Sequence, residues 1–175
     1  MRLFWRHGYE GVSINDLTNA IGIAPPSLYA AFGSKAALYR ETLDRYASLP
    51  IGLRKLSPAK TLNGTIKSLL RNAVDAITDP KEERGCMVST GMVHCAPEHA
   101  DLASELADRR RSTHDQIAVA LTQWLPKDSA HSLARYLTAV MQGLAIQVRD
   151  GATRSDLDEV INEVVAGLRA RERKR

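Results

Sequence analysis

The sequence predicts an all-α protein with an N-terminal helix-turn-helix unit followed by a C-terminal helical domain. Two observations support this fold class. Along most of the chain, apolar residues recur at intervals of three and four, which is the spacing of one helix face. Glycine, proline and small hydroxyl residues interrupt that pattern where helices are expected to begin and end. At 175 residues, 44% hydrophobic and 25% charged, the chain is long enough for one large or two small globular domains.

The first well-marked helix is predicted to begin after Ser13. Serine is a good N-cap, and Asp16 places a carboxylate in the first helical turn, where the helix dipole favours negative charge. Gly22 ends this helix, because glycine tolerates the left-handed conformation found at many helix C-termini. The predicted apolar face consists of Ile14, Leu17, Ala20 and Ile21.

The second helix is predicted to begin at Pro25 and Pro26. Ala24 cannot cap it, but the two prolines have no backbone N–H, so two of the groups that a cap would satisfy are absent. Leu28 and Phe32 lie on one side of this short helix. The remaining faces present small and hydroxyl-bearing side chains, namely Ser27, Tyr29, Ala30 and Ala31.

A third helix is predicted over 35–46, since Gly33 ends the second helix and Ser34 is an N-cap residue. Leu38, Leu43 and Tyr46 recur on roughly one face of it. Two short helices joined by a tight glycine-containing turn are typical of a helix-turn-helix, whose second helix enters the DNA major groove.

Residues 3–46, LFWRHGYEGVSINDLTNAIGIAPPSLYAAFGSKAALYRETLDRY, resemble the DNA-binding domain of TetR-type transcriptional regulators. Many fixed spacings agree at once, including the run L-Y-x-x-F. The resemblance implies that the second helix faces base edges and phosphates, with Tyr29 and Lys35 as phosphate contacts. The alternative for those two is a half-buried aromatic and a solvated lysine. The full implied set of DNA-binding residues is Ser13, Pro25, Pro26, Ser27, Tyr29, Ala30 and Lys35.

The helix that precedes Ser13, which is the first helix of the TetR-type domain, is shorter than the resemblance leads one to expect. Family members begin it well before the LFWRHG segment, whereas only residues 1–7 remain here, so a truncated first helix is predicted. Either further residues precede Met1 or the domain is natively short.

The net charge of +4 is unevenly distributed. Residues 1–46 hold five basic and four acidic side chains, residues 47–168 hold fourteen and fifteen, and the last seven hold five and one. The excess therefore lies in the tail RARERKR, which is expected to be a solvated helix end. DNA binding is predicted from the motif, with phosphate contacts from helix N-termini, hydroxyls and basic residues such as Arg6, Lys35 and Arg40.

The rest of the chain reads as further helices. Pro50, Gly52 and Pro58 punctuate the sequence and place a boundary between a DNA-binding domain over 1–48 and a ligand-binding and dimerisation domain over 49–175. Asp128 or Ser129 is expected to cap the helix that follows Pro126, and Ser155 with Asp158 to start the last helix. Helices are predicted over 59–78, between Gly85 and Pro97, from Pro97 to about 124, over 133–149, and from 155 onward.

The segment KEERGCMVSTGMVHCAPEH contains soft and metal-ligating side chains. A metal or redox cluster of Cys86, His94, Cys95 and His99 is disfavoured, because the cysteines are nine residues apart and no C-x-x-C occurs. The favoured interpretation is a buried helix, which the resemblance places beside an effector cavity. No metal and no cofactor is predicted. The predicted pocket residues are Met87, Met92, Trp124 and Met141.

The last two helices have wide apolar faces and look like the pair that forms a four-helix bundle across a twofold axis in TetR-like proteins. The predicted interface consists of Leu137, Leu144, Val160, Ile161, Val164 and Leu168. The resemblance thus implies a homodimeric repressor that binds a palindromic operator and is released by a small, mainly apolar effector. The helix over 35–46 is expected to link effector binding to DNA release.

Other functional classes are less well supported. No Ser-His-Asp order, paired-carboxylate site, P-loop or GxGxxG is apparent, so an enzyme is not predicted. A helical protein-interaction module, or a metal- or thiol-sensing module with impaired DNA binding, is the alternative. There is no apolar run of about 18 residues and no signal pattern, so a cytoplasmic protein with no membrane partner is expected.

Overall fold

The computed structural model describes residues 1–49 and 59–172, and these residues form nine α-helices and no β-strand. The predicted all-α fold class is confirmed. The predicted connection through Pro50, Gly52 and Pro58, and the last three residues of the basic tail, lie outside the described residues. The helices are α1 (Arg2–His7), α2 (Ile14–Ile21), α3 (Pro25–Phe32), α4 (Lys35–Ser48), α5 (Leu62–Ile77), α6 (Met87–Thr90), α7 (Ala100–Leu121), α8 (Lys127–Arg149) and α9 (Arg154–Glu172).

The chain divides into two compact units that are not continuous in sequence. Unit 1 contains Met1–Leu49 and Cys86–Arg109, and unit 2 contains Pro50–Gly85 and Arg110–Arg175 as far as these are described. Helix α7 therefore contributes its first part to unit 1 and its second part to unit 2. None of the helices described is long and apolar enough to cross a membrane.

An aromatic cluster forms the centre of unit 1. The rings of Phe4 and Tyr39 meet edge to face at 5.0 Å between centroids, and those of Trp5 and Tyr46 at 4.8 Å. The ring centroid of Tyr9 lies 5.1 Å from that of Tyr39. Edge-to-face pairs match the positive edge of one ring to the negative face of the other, which stabilises the pair beyond simple burial. The six-residue α1 is thus held by Phe4 and Trp5, each 1% exposed.

The segment Cys86–Arg109 packs as part of unit 1, where α6 contacts α1 and α4. The Arg40 guanidinium makes bidentate hydrogen bonds to Glu105, with Nε 2.9 Å from each carboxylate oxygen. Arg109 pairs with Asp44 one turn further along α4. Two ion pairs therefore fix the start of α7 to α4.

Helix α5 is the central element of unit 2 and packs against both α9 and α8. Its face of Ile66, Leu70 and Val74 is 0% exposed. Its predicted start at residue 59 is wrong, because the Thr61 hydroxyl accepts from the Gly64 N–H and caps a helix that begins at Leu62.

The predicted helix between Gly85 and Pro97 is wrong in length, since α6 ends after Thr90. Gly91 is extended, with φ −74° and ψ 139°, and Met92 follows with a positive φ of 52°. A Cβ on Gly91 would lie 2.5 Å from the Met87 carbonyl oxygen and 2.7 Å from Leu106. Gly91 thus lies in close contact with α7 directly after the end of α6, and a short 3-10 turn over Pro97–His99 precedes α7.

Other predicted helix ends are also corrected by the structure. Helix α7 ends at Leu121, so Trp124 lies in the turn that follows it. Pro126, and not Asp128 or Ser129, occupies the N-cap position of α8. Helix α9 begins at Arg154, one residue before Ser155. The Thr153 hydroxyl accepts from the Asp156 N–H at 3.3 Å, and the Asp156 carboxylate accepts from the Thr153 N–H at 2.7 Å.

Candidate nucleic-acid interface

Helix α2 is held at both ends by local interactions that the sequence predicted. The Ser13 hydroxyl accepts from the Asp16 N–H at 3.1 Å, and the Asp16 carboxylate accepts from the Ser13 N–H at 2.8 Å, which completes a capping box. At the other end Gly22 adopts the left-handed conformation, φ 79° and ψ 32°, and donates to the Thr18 carbonyl. The turn into α3 is therefore fixed by backbone geometry.

The predicted apolar face of α2 is partly wrong. Leu17 is buried at 4%, but Ile21 is 50% exposed and Ala20 is also exposed. Thr18 takes the buried place, at 4% exposure, because its hydroxyl donates back to the carbonyls of Ile14 and Asn15. Its polar group is thus satisfied within the helix.

Helix α3 presents its polar and small side chains outward. It begins at Pro25 with an uncapped Ala24, as the sequence predicted. Leu28, at 0% exposure, anchors it to the core of unit 1, while Tyr29 is 47% exposed. The other residues expected to contact DNA from this helix, Pro25, Pro26, Ser27 and Ala30, are all exposed.

Ser13 lies at the exposed N-terminus of α2, but its hydroxyl is already engaged. Besides accepting from Asp16, it donates to the Asp16 carboxylate at 2.6 Å. Hydrogen bonds from the Ser13 hydroxyl and N–H lower the pKa of Asp16 below its ordinary value. A hydroxyl has one donor, so Ser13 would have to release Asp16 before donating to a phosphate.

Lys35 lies at the start of α4 and is not simply solvated. Its ammonium nitrogen is 4.3 Å from the centroid of the Tyr9 ring. Burial lowers the pKa of Lys35, and the carboxylates of Glu10 and Asp16 act in the opposite direction. Glu10 Oε1 lies 2.7 Å from Nδ1 of His99, and this contact lowers the pKa of Glu10. The lysine is therefore positioned by a defined set of neighbours.

Sequence reasoning missed several residues that shape this surface. Trp5, Tyr9 and Tyr39 were not singled out, although each is at most 4% exposed. Arg40, expected at a phosphate, is instead paired with Glu105. These four residues contact partners that are distant in sequence, so helix periodicity could not have indicated them. The only signal in the sequence is the residue type, which is a large aromatic or a charge within an otherwise apolar pattern.

The predicted pocket residues fall in different units. Met87 and Met92, 2% and 7% exposed, lie in unit 1, whereas the half-buried Trp124 and Met141 lie in unit 2. The Tyr46 hydroxyl donates to the Cys86 sulfur at 3.3 Å, and burial is the main cause that raises the pKa of Tyr46.

The predicted interface residues are distributed between buried and partly exposed positions in α8 and α9. Leu137, Leu144 and Ile161 are at most 1% exposed within the single chain. Val164 and Leu168 are 5% and 9% exposed, and Val160 is half-buried. On the outer side of α8, Tyr136 is 44% and Ile146 is 53% exposed.

The disfavoured cysteine and histidine cluster does not form. Among the residues that the structure describes, Cys86, His94, Cys95 and His99 do not bring three ligand atoms together at metal-binding spacing. Both cysteines are half-buried free thiols.

Comparison with known proteins places these features in a family. Residues 1–42 match the family model described as bacterial regulatory proteins, tetR family. The chain is 28% identical over 170 residues to the HTH-type transcriptional repressor ComR of Escherichia coli (strain K12), covering 91% of this chain and 80% of ComR. It is 31% identical over 153 residues to the repressor BdcR of the same strain, covering 85% of this chain and 75% of BdcR.

A solved structure supports the same conclusion. The chain superposes with a TM-score of 0.86 and 30% identity on a cysteine mutant of the TetR family transcriptional regulator CifR, complexed with 26-base-pair operator DNA, over 94% of this chain and 91% of that one. The similarity extends through the helical region beyond the helix-turn-helix. The relatives of this chain are transcriptional regulators and not enzymes, as predicted. The chain therefore belongs to the TetR family of bacterial transcriptional regulators.

Proposed function

We propose that this protein is a cytoplasmic transcriptional repressor that binds palindromic operator DNA as a homodimer and is released by a small, mainly apolar effector. The observation that carries the proposal is the outward face of α3, where small and hydroxyl-bearing side chains are exposed on a helix anchored by Leu28. The names of two relatives, both repressors, and the operator complex of a third support it.

In this proposal α3 enters the major groove. Ser27, Ala30 and the two prolines at its start face base edges, where short side chains allow close approach. The Tyr29 hydroxyl and the Lys35 ammonium contact phosphates, which fix the register of the protein on the duplex. The contact between Lys35 and the Tyr9 ring limits the freedom of the lysine, so less entropy is lost when it meets a phosphate.

The dimer interface is proposed on α8 and α9. A stripe of residues at helical spacing lies on the outer side of α8 and consists of Tyr136, Val140, Gly143 and Ile146. The residues at its two ends, Tyr136 and Ile146, are strongly exposed. A Cβ added to Gly143 would meet no atom within 4 Å, so the chain leaves open space there. A glycine at such a place lets a helix of the second copy approach closely, while the buried residues of the predicted set, such as Leu137 and Leu144, support the helix from inside.

The effector is proposed to contact Trp124 in unit 2. Within the described part of the chain, the indole Nε1 of Trp124 is buried without a hydrogen-bond acceptor. A buried donor of this kind is unfavourable, and an apolar molecule with one acceptor would satisfy it. Met141, Met87 and Met92 supply adaptable apolar surface within their own units. The protein must have one conformation that binds DNA and one that does not. The effector must have the higher affinity for the conformation that does not bind DNA, since only a difference in affinity shifts the equilibrium.

The proposal is tested by measuring binding to the DNA that flanks the protein's own gene at several salt concentrations. Tyr29→Phe removes only the hydroxyl, one from each half of the dimer, and should weaken binding about 100-fold, the effect of two hydrogen bonds to charged groups at about tenfold each. Lys35→Gln removes one phosphate contact from each half of the dimer and should reduce the slope of log affinity against log salt by about 2. Lys60→Gln, which neutralises an exposed lysine of unit 2, serves as the control and should change neither quantity.

Circular dichroism of each variant checks that the helices are intact. Specific binding that both site variants leave unchanged would refute the assignment of α3 and α4 to the DNA. If the native chain binds no specific DNA, a helical protein-interaction role becomes the better account.

A further inference from the structure

A group of metal-ligating side chains lies in unit 2, away from the helix-turn-helix. His114 and Asp115 belong to α7, and His131 belongs to the first part of α8. One ligand atom from each residue lies within 4.8 Å of the other two. The two imidazole rings are 5.6 Å apart between centroids.

The surroundings of His114 hold its ring in a defined orientation. Nδ1 lies 2.9 Å from an Asp115 carboxylate oxygen, and Nε2 lies 3.2 Å from the main-chain carbonyl oxygen of His131. Both partners can accept a hydrogen bond, and the tautomer of His114 decides which ring nitrogen donates. A metal ion can replace the proton on Nδ1. The Nε2–H bond to a main-chain carbonyl would remain, and this is the usual way in which proteins orient a ligating histidine.

We propose that His114, Asp115 and His131 form a binding site for a late first-row divalent ion of the zinc class. The ligands are Nδ1 of His114, one carboxylate oxygen of Asp115 and one ring nitrogen of His131, with water completing the coordination. Two imidazoles and one carboxylate favour such an ion over magnesium or calcium, which prefer oxygen ligands.

The ligand atoms have to move closer together to bind an ion. Bond lengths of 2.0–2.1 Å place the ligands of a tetrahedral ion about 3.3 Å apart, whereas the ligand atoms here lie within 4.8 Å of one another, so the widest spacing has to close by up to about 1.5 Å. The Asp115 side chain is 64% exposed, so its carboxylate can rotate, while that of His114 is 16% exposed and stays in place. The bound ion would tie α7 to α8. The site depends only on these three residues and not on the proposed operator binding.

The test is a calorimetric titration of the full chain, freed of metal by chelation, with zinc chloride. One ion per chain is expected. Asp115→Asn and His131→Gln should each lower the affinity by at least about 10–100-fold, the effect already seen when outer-shell partners of metal ligands are changed. Asp115 is exposed, so its variant is expected to fold normally. His94→Gln, which changes an exposed histidine of unit 1, is the matched control and should bind as the native chain does.

Thermal unfolding supplies a second measurement, because an ion that binds only the folded chain raises its melting temperature. Zinc should raise the melting temperature of the native chain and of His94→Gln but not of Asp115→Asn, and magnesium should have no effect. The proposal is overturned if zinc does not bind, or if both site variants bind it unchanged. It is also overturned if binding is lost only when Cys86 and Cys95 are replaced by serine, since the ion would then be held by the thiols.

Discussion

At the scale of single residues, the best-defined feature of unit 1 is the capping box between Ser13 and Asp16. It satisfies N–H groups at the start of α2 that no helical carbonyl can reach. We predict that Ser13→Ala lowers the free energy of unfolding by about 1 kcal/mol at neutral pH. Ser27→Ala, which removes an exposed hydroxyl from α3, is the control and should change it by less than about 0.5 kcal/mol.

The same capping box predicts a pH dependence. Because the pKa of Asp16 is lower in the folded chain, its contribution to stability is present above the ordinary carboxyl range. It is lost as the pH falls through that range to the lowered value. Urea unfolding at pH 7 and at pH 3 should therefore show a smaller effect of Ser13→Ala at the lower pH. An effect of equal size at both values would contradict the role assigned to the ionised carboxylate.

A second residue-scale prediction concerns Gly91, where α6 ends. A Cβ there would meet the main-chain oxygen of Met87, so the backbone or Leu106 has to move. We expect Gly91→Ala to destabilise the protein by about 1–3 kcal/mol. Gly167→Ala is the matched control, because an added Cβ there meets nothing and alanine favours the helix by about 0.5–1 kcal/mol. Thermal or urea unfolding that gave both variants the same sign would contradict this account.

At the scale of helices, local signals predicted the DNA-binding motif well and other elements less well. The two ends of α2 are defined by Ser13 and Gly22, the start of α3 by Pro25 and the start of α4 by Ser34. These signals act within four residues, so the local sequence contains the necessary information. Helix α6 ends after Thr90, and the close approach of Leu106 to Gly91 at that point joins residues that no local pattern connects.

The outer side of α8 gives the element-scale prediction. If the stripe of Tyr136, Val140, Gly143 and Ile146 on α8 is the dimer interface, a charge at Ile146 would be buried against the second copy. We expect Ile146→Asp to shift the protein from dimer to monomer in sedimentation velocity, with a loss of affinity of about 100-fold or more. Val119→Asp is the control, since Val119 is 69% exposed on α7 and lies outside this stripe. Equal sedimentation of both variants and the native chain would refute this interface.

At the scale of the whole molecule, the class of fold and the family could be predicted, but the division into units could not. The sequence suggested a boundary near residue 50 and two consecutive domains, a division that remains a prediction. The compact units in the structure each combine two separate segments. Residues Cys86–Arg109 join unit 1 through contacts such as those of Arg40 with Glu105, which are 65 residues apart in the chain. Pairings across such distances leave no periodic signal in the sequence.

The same reason explains which parts of the candidate site were found. The exposed face of α3 follows from helix geometry and from a motif with many fixed spacings. The support that positions it, including the contact of Lys35 with Tyr9 and that of Glu10 with His99, depends on the tertiary fold.

Hydroxyl-radical footprinting of the DNA that flanks the protein's own gene tests the central claim most directly. A homodimer with one α3 in each of two successive major grooves should protect two symmetric patches whose centres are about 34–36 Å apart. The double variant Tyr29→Ala with Lys35→Ala should lose both patches together. A single patch, or protection that the double variant leaves unchanged, would contradict the claim that two copies of α3 read the operator.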